Sequence, residues 1–113
     1  MVGSLPFEVA LLSELKTLVL SGEELVGTIP EGWKRMSKLE NLILGSNGLS
    51  GTFPLFILEA NPLLGTLQIP FNKFNGTIPS TILGDSLADL RLHGNDFVGT
   101  LPSEIIALEN LRK

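Results

Sequence analysis

The sequence predicts an α/β solenoid, a coil of stacked repeats in which each repeat adds one strand to a parallel sheet. Two observations carry this prediction. A Gly-x-x-Pro pair recurs five times in the 113 residues, starting at Gly3, Gly27, Gly51, Gly76 and Gly99. A Leu-x-x-Leu-x-Leu segment, with Ile at one position, precedes four of these pairs in the same frame. A period of about 24 residues is typical of repeats that share one continuous core.

The period divides the chain into one array of repeats. A partial repeat covers residues 3–14, complete repeats cover 15–38, 39–63, 64–86 and 87–110, and a stub covers 111–113. Terminal repeats normally carry a polar outer face or a cap. We therefore expect a fragment of a longer array that lacks both caps, and end-to-end self-association through its uncapped ends.

The Leu-x-Leu part of each repeat predicts the strand. Because side chains alternate along a strand, Leu18 and Leu20 are expected in the core, whereas Thr17, Val19 and Ser21 are expected to face outward. One copy cannot bury its leucines alone, so neighbouring copies must stack at the ~4.8 Å strand spacing.

The second half of each repeat predicts a turn followed by a short buried segment. The Gly relaxes steric limits on the backbone and the Pro fixes φ. Apolar residues at the third position after each Pro are expected to point inward: Val9, Trp33, Ile57, Ile82 and Ile105. Trp33 is therefore predicted to be a core residue rather than a ligand-stacking aromatic.

The unit LxxLxLxxNxLxGxIP resembles the leucine-rich repeat family, in particular its plant-type subclass, as in receptor-like kinase and receptor-like protein ectodomains. The resemblance implies a right-handed superhelix with a concave parallel sheet and a mostly irregular or short-helical convex side. It also implies that Asn47, Asn72 and Asn95 satisfy backbone groups of the turn and form a ladder. Glu23 stands at this position in the first copy, so we expect a looser or more exposed turn there.

Composition excludes several classes of partner and site. The absence of Cys excludes a disulfide framework, a thiolate metal site and a Cys nucleophile. A formal charge of −4 argues against nucleic acid binding, which requires clustered Lys and Arg. The sequence predicts no targeting segment at the N-terminus and no membrane span within this chain.

The sequence also predicts no enzyme, no catalytic residue, no cofactor and no metal site. Asp89 aligns with Thr66 and Asn41 in neighbouring copies, so no carboxylates are paired. A single His with scattered acids does not make a metal site. The glycines recur at the repeat spacing and lack the Gly-Lys-Ser/Thr of a phosphate loop.

Outward positions of the predicted strands provide the candidate binding site. The residue between the last two Leu positions is Val19, Ile43, Gln68 or Arg91. Candidate ligand-binding residues on this concave face are Ile43, Gln68, Phe71, Asp89, Arg91 and His93. The alternative is an ordinary solvated surface. Phe71 is an exposed hot-spot candidate, or else it packs against Pro70 or the next turn.

Asn75-Gly76-Thr77 forms an N-glycosylation sequon and makes Asn75 a candidate glycosylation site. The alternative is that the repeat itself favours Gly-Thr, since this pair also occurs at Gly27, Gly51 and Gly99 without a preceding Asn.

Three functions remain open. The first is a non-catalytic scaffold that binds a protein or peptide ligand on its concave face. The second is an ectodomain segment of a receptor-like kinase or receptor-like protein, which would be extracellular or membrane-anchored; otherwise we expect a cytoplasmic protein. The third is a structural, ice-binding or wall-binding surface, which requires a regular column of like residues. The mixed column from Val19 to Arg91 argues against the third function.

Overall fold

The computed structural model describes residues 3–79 and 87–99, and within them the chain forms short strands and helical turns. The strands are β1 (Gly3–Ser4), β2 (Thr17–Val19), β3 (Leu25–Gly27), β4 (Asn41–Ile43), β5 (Gly48–Thr52), β6 (Thr66–Gln68), β7 (Lys73–Gly76), β8 (Asp89–Arg91) and β9 (Asp96–Phe97). The helices are two 3₁₀ turns, Phe7–Leu11 and Glu31–Arg35, and α1 (Leu55–Ala60).

These strands form two parallel sheets, and each coil of the chain contributes to both. The four-stranded sheet has the order β2-β4-β6-β8, and the five-stranded sheet has the order β1-β3-β5-β7-β9. The predicted α/β solenoid is therefore confirmed. The four-stranded sheet comes from the Leu-x-Leu segments, as expected. The five-stranded sheet comes from residues around the Gly of each Gly-x-x-Pro segment, where the sequence predicted only a turn.

The core lies between the sheets and the helical turns. Equivalent leucines stack in register along the four-stranded sheet: Leu18, Leu42, Leu67 and Leu90. The last three are completely buried, whereas Leu18 is half-buried because β2 lies at an edge of the sheet. Thr17 and Val19 on either side of Leu18 are exposed, which agrees with the predicted alternation.

The helical turns supply the inward anchors behind the sheets. Trp33 is fully buried, and its Nε1–H donates a hydrogen bond of 2.9 Å to the carbonyl of Pro6. Ile57 on α1 is also fully buried. In the first 3₁₀ turn Val9 is only half-buried, and the neighbouring Ala10 is the buried residue. Ile82 and Ile105 lie outside the described residues.

An asparagine ladder ties each coil to the one before it. The Oδ1 atoms of Asn47, Asn72 and Asn95 accept backbone N–H groups of the preceding coil, and their Nδ2 groups donate to carbonyls of both coils. The turn at Glu23 is exposed at Gly22 and Glu24, as expected. It is nevertheless tied to the next coil, because Glu23 N–H donates to Asn47 Oδ1 at 2.9 Å.

Repeat 39–63 is one residue longer than repeat 15–38, and a buried asparagine follows its helix α1. Asn61 is 1% exposed there; its Oδ1 accepts the N–H of Leu39 at 2.8 Å and its Nδ2 donates to the carbonyl of Ile57 at 2.9 Å. Asn61 thus ties the end of α1 to the start of its own repeat. Repeat 64–86 is one residue shorter than repeat 15–38, and its residues 80–86 lie outside the described residues.

Candidate functional site

The outward face of the four-stranded sheet presents two columns of side chains in register. One column runs through Val19, Ile43, Gln68 and Arg91, and the other through Thr17, Asn41, Thr66 and Asp89. In the first column Val19 is 54% exposed, whereas Ile43, Gln68 and Arg91 are half-buried. Because the leucines of these strands face inward, four of the predicted site residues share the outward surface: Ile43, Gln68, Asp89 and Arg91.

Asp89 is the centre of a small polar cluster at the β6–β8 side of this sheet. Its Oδ2 accepts Gln68 Nε2–H at 3.1 Å, and its Oδ1 accepts Arg91 Nε–H at 3.1 Å. The side chains of Arg91 and Asp89 are 35% and 32% exposed. A partly exposed ion pair of this kind contributes only about 0–1 kcal/mol to stability. Its main effect is to hold the guanidinium of Arg91 on the sheet surface.

Phe71 and His93 form the second cluster, at the end of the same strands. Their rings meet edge to face with centroids 5.0 Å apart. Phe71 remains 57% exposed, so it both packs on the next turn and presents an aromatic surface to solvent. The Nδ1 atom of His93 is buried and has no hydrogen-bond partner among the residues that the structure describes.

The backbone at Phe71 explains its unusual placement. Its counterparts in the other coils all have positive φ: Gly22 at 69°, Ser46 at 59° and Gly94 at 74°. Phe71 itself has a φ of 58°, a left-handed conformation that costs an L-residue about 1–2 kcal/mol. The ring lies over Gly94, where a Cβ would come within 2.5 Å of Phe71 Cδ1. Only glycine fits beneath this ring.

The structure thus brings five of the six predicted residues into two clusters. Gln68, Asp89 and Arg91 are joined by hydrogen bonds, and Phe71 and His93 by ring contact. The sixth residue, Ile43, lies beside Gln68 in the sheet register. It adds an apolar side chain next to the polar cluster.

The five-stranded sheet carries a second surface that the sequence reasoning missed. Exposed hydroxyl residues recur just after the Gly of successive coils, at Ser4, Thr28, Thr52 and Thr77. The Thr28 methyl lies 3.3 Å, and the Thr52 methyl 3.4 Å, from where a Cβ would stand on the Gly of the next coil. The recurring Gly-Thr pairs in the sequence could have indicated this column of exposed hydroxyl groups.

A groove of about 380 Å³ runs beside this column of hydroxyl residues. It is lined by Thr28, Ile29, Glu31, Ser50, Gly51, Thr52, Pro54, Phe56 and Phe74. The described residues contain no group of three His, Asp or Glu side chains that could hold a metal ion. No helix among them is both long and apolar enough to cross a membrane.

No protein-family model matches the chain, and no curated protein matches it. Several solved structures, in contrast, are similar to the chain. The ectodomain of the receptor kinase SOBIR1 from Arabidopsis thaliana has a TM-score of 0.80 and 32% identity, over 98% of this chain and 60% of that one. The plant peptide hormone receptor RGFR1, solved in complex with RGF2, has a TM-score of 0.83 and 33% identity, over 97% of this chain and 18% of that one.

A plant ice-binding protein is also similar, with a TM-score of 0.80 and 32% identity over 96% of this chain and 36% of that one. Together with the two parallel sheets, these similarities define the class of the protein: the chain has the leucine-rich repeat fold. It spans 36% and 60% of the first two structures it matches.

Proposed function

We propose that the chain is a non-catalytic recognition module of the plant-type leucine-rich repeat subclass, which binds a protein or peptide on its four-stranded sheet. One observation carries the proposal. The inward column of this sheet repeats leucine in every coil, from Leu18 to Leu90, while the outward column in the same strands changes from Val19 to Arg91. Because the scaffold needs only the inward column, the outward column is available for partner selection.

The similar structures support this proposal and suggest its setting. RGFR1 was solved with RGF2, and the Arabidopsis receptor kinase HAESA, 26% identical with a TM-score of 0.82, was solved with the peptide hormone IDA and the co-receptor SERK1. We propose by analogy that this chain is an ectodomain segment of a receptor-like kinase or receptor-like protein. It would then act outside the cell and signal through parts of a longer protein.

The chemistry of the sheet suits a peptide with one acidic or polar group next to an apolar one. Arg91 supplies a cation whose orientation is set by Asp89, and Gln68 adds a polar amide beside it. Phe71 offers an exposed, sterically fixed aromatic ring, a side-chain type that often dominates binding energy. Ile43 extends the apolar part of the surface.

Peptides selected from a phage-displayed random library against this chain test the proposal. We expect Arg91→Ala together with His93→Ala, and separately Phe71→Gly, to weaken the selected peptides at least tenfold, since hot-spot truncations cost about 2 kcal/mol or more. Thr52→Ala on the five-stranded sheet is the matched control and should leave the affinity unchanged. Failure to select any peptide, or equal affinities for all variants, would contradict the proposal.

A second candidate function is binding to an ordered surface such as ice. The column Ser4, Thr28, Thr52 and Thr77 favours it, because exposed hydroxyl groups repeat from coil to coil. The similarity to a plant ice-binding protein adds support. We expect thermal hysteresis that Thr52→Lys abolishes if this function is correct. Absence of hysteresis in the unsubstituted chain would eliminate it.

A further inference from the structure

We propose that Asn75 is an N-glycosylation site whose glycan covers the outer face of the five-stranded sheet. The proposal rests on the extracellular setting proposed above, because only the secretory route supplies the glycan. It assigns different roles to the two sheets. The five-stranded sheet becomes a shielded flank, and the four-stranded sheet remains available to a partner.

Among the described asparagines, Asn75 is the one whose side chain takes no part in holding the coils together. Five other asparagines in residues 3–79 and 87–99 hydrogen-bond through their side chains: Asn41, Asn47, Asn61, Asn72 and Asn95. Asn75 makes no such bond in this part of the chain, and it is exposed. Asparagine is also disfavoured within strands, yet Asn75 lies inside β7. No contact within residues 3–79 and 87–99 accounts for an asparagine at this position.

The strand geometry presents the whole sequon to solvent. Phe74 and Ile78 are buried, at 1% and 8% exposure, whereas Asn75 and Thr77 are both exposed. Gly76 between them has a φ of 82° and ends the strand. The amide that receives the glycan and the hydroxyl that the sequon requires are therefore both accessible.

Repeat geometry explains the Gly-Thr pair but not the Asn. In the two preceding coils the residue before Gly-Thr is Val26 or Ser50, so this position does not require an amide. The backbone is equivalent in all three coils, since Gly27, Gly51 and Gly76 have φ values of 87°, 101° and 82°. The third coil thus adds an asparagine that can receive a glycan, at a turn that would form without it.

A glycan at this position projects from β7, between β5 and the last described strand, β9. Asn75 is paired with Thr52 on β5 and with Asp96 on β9. The sugar therefore projects next to the exposed hydroxyl column at Thr52 and Thr77. A glycosylated chain cannot use that column for a flat surface such as ice, so this inference and the second candidate function exclude each other.

Secretion of the chain from mammalian cells behind a signal peptide tests the site. We expect a mass increase that peptide-N-glycosidase removes, that Asn75→Gln and Thr77→Ala abolish, and that Thr77→Ser retains. Ser50→Asn is a matched control, because it creates the same Asn-Gly-Thr sequon one coil earlier, and it should add a second glycan. An unmodified chain overturns the proposal, whether or not Ser50→Asn is modified.

The peptide-binding proposal and the glycosylation proposal can be disproved independently of each other. Peptide binding is measured with unglycosylated protein made in bacteria, and glycosylation is measured without any peptide. The glycosylated chain should bind the selected peptides within twofold of the unglycosylated affinity. A larger loss of affinity would overturn the division of roles between the sheets.

Discussion

Asn72 shows how a single side chain joins two coils. Its Nδ2 group donates to the carbonyls of Leu44, Ile69 and Pro70 at 3.0, 3.3 and 3.2 Å, and its Oδ1 accepts the N–H of Leu49 at 3.0 Å. The side chain is 7% exposed. Because water has little access, these backbone groups depend on Asn72 for their hydrogen bonds.

We predict that Asn72→Ala strongly destabilises the chain, because each buried polar group left without a partner costs about 1–3 kcal/mol. Asn75→Ala is the matched control, since that exposed side chain makes no hydrogen bond in the described part of the chain, and it should stay within about 0.5 kcal/mol of the parent. Urea unfolding followed by Trp33 fluorescence measures both. Equal unfolding free energies for the two variants would refute the role of the ladder.

The repeat frame predicted which residues occupy the candidate site, but it did not predict their contacts. It assigned Gln68, Asp89 and Arg91 to one surface because strand alternation depends only on position. The two hydrogen bonds to Asp89 depend on side-chain rotamers, which periodicity does not determine. The ring of Phe71 over Gly94 likewise follows from a positive φ in that turn. The sequence showed that Phe71 was unusual without showing why.

The two sheets differ in how strongly the sequence encodes them. Strands of the four-stranded sheet show buried leucines alternating with outward residues, a pattern that predicts strands directly. In the five-stranded sheet, strands β3, β5 and β7 each have a single buried residue, which is Leu25, Leu49 and Phe74 respectively. They also contain glycine, which is typical of turns rather than of strands. A single buried residue carries no alternation, so these strands form because the coils stack and not because of local sequence.

We predict that Leu67→Ala destabilises the chain by about 2–5 kcal/mol, because it removes a completely buried side chain from a strand with neighbours on both sides. Val19→Ala, on an exposed position of an edge strand, should change stability by less than about 0.5 kcal/mol. Leu18→Ala should fall between them, since Leu18 is half-buried. Chemical denaturation of the three variants gives the order, and any other order would contradict the inward assignment.

The first coil leaves a substantial apolar surface in solvent. Phe7, Leu11 and Leu12 are 62%, 68% and 56% exposed. Phe7 and Leu11 line a cleft of about 210 Å³ together with Arg35 from the next coil. Contiguous exposed apolar surface of this kind commonly mediates association.

We predict that the isolated 113-residue chain self-associates through this surface. Leu11→Lys combined with Leu12→Lys should shift the chain towards monomer, whereas Val98→Lys, also at an exposed apolar position, should not. Light scattering coupled to size-exclusion chromatography over a range of concentrations measures the effect. A cleanly monomeric, cooperatively melting parent chain would disprove it.

Recognition through the four-stranded sheet is tested most directly by NMR titration of the ¹⁵N-labelled chain with a library-selected peptide. We expect chemical-shift changes concentrated on β4, β6 and β8, including Ile43, Gln68 and Arg91, with the resonances of β5 and β7 unchanged. Changes concentrated instead at Thr28, Thr52 and Thr77 would contradict it, because they would place the partner on the flank.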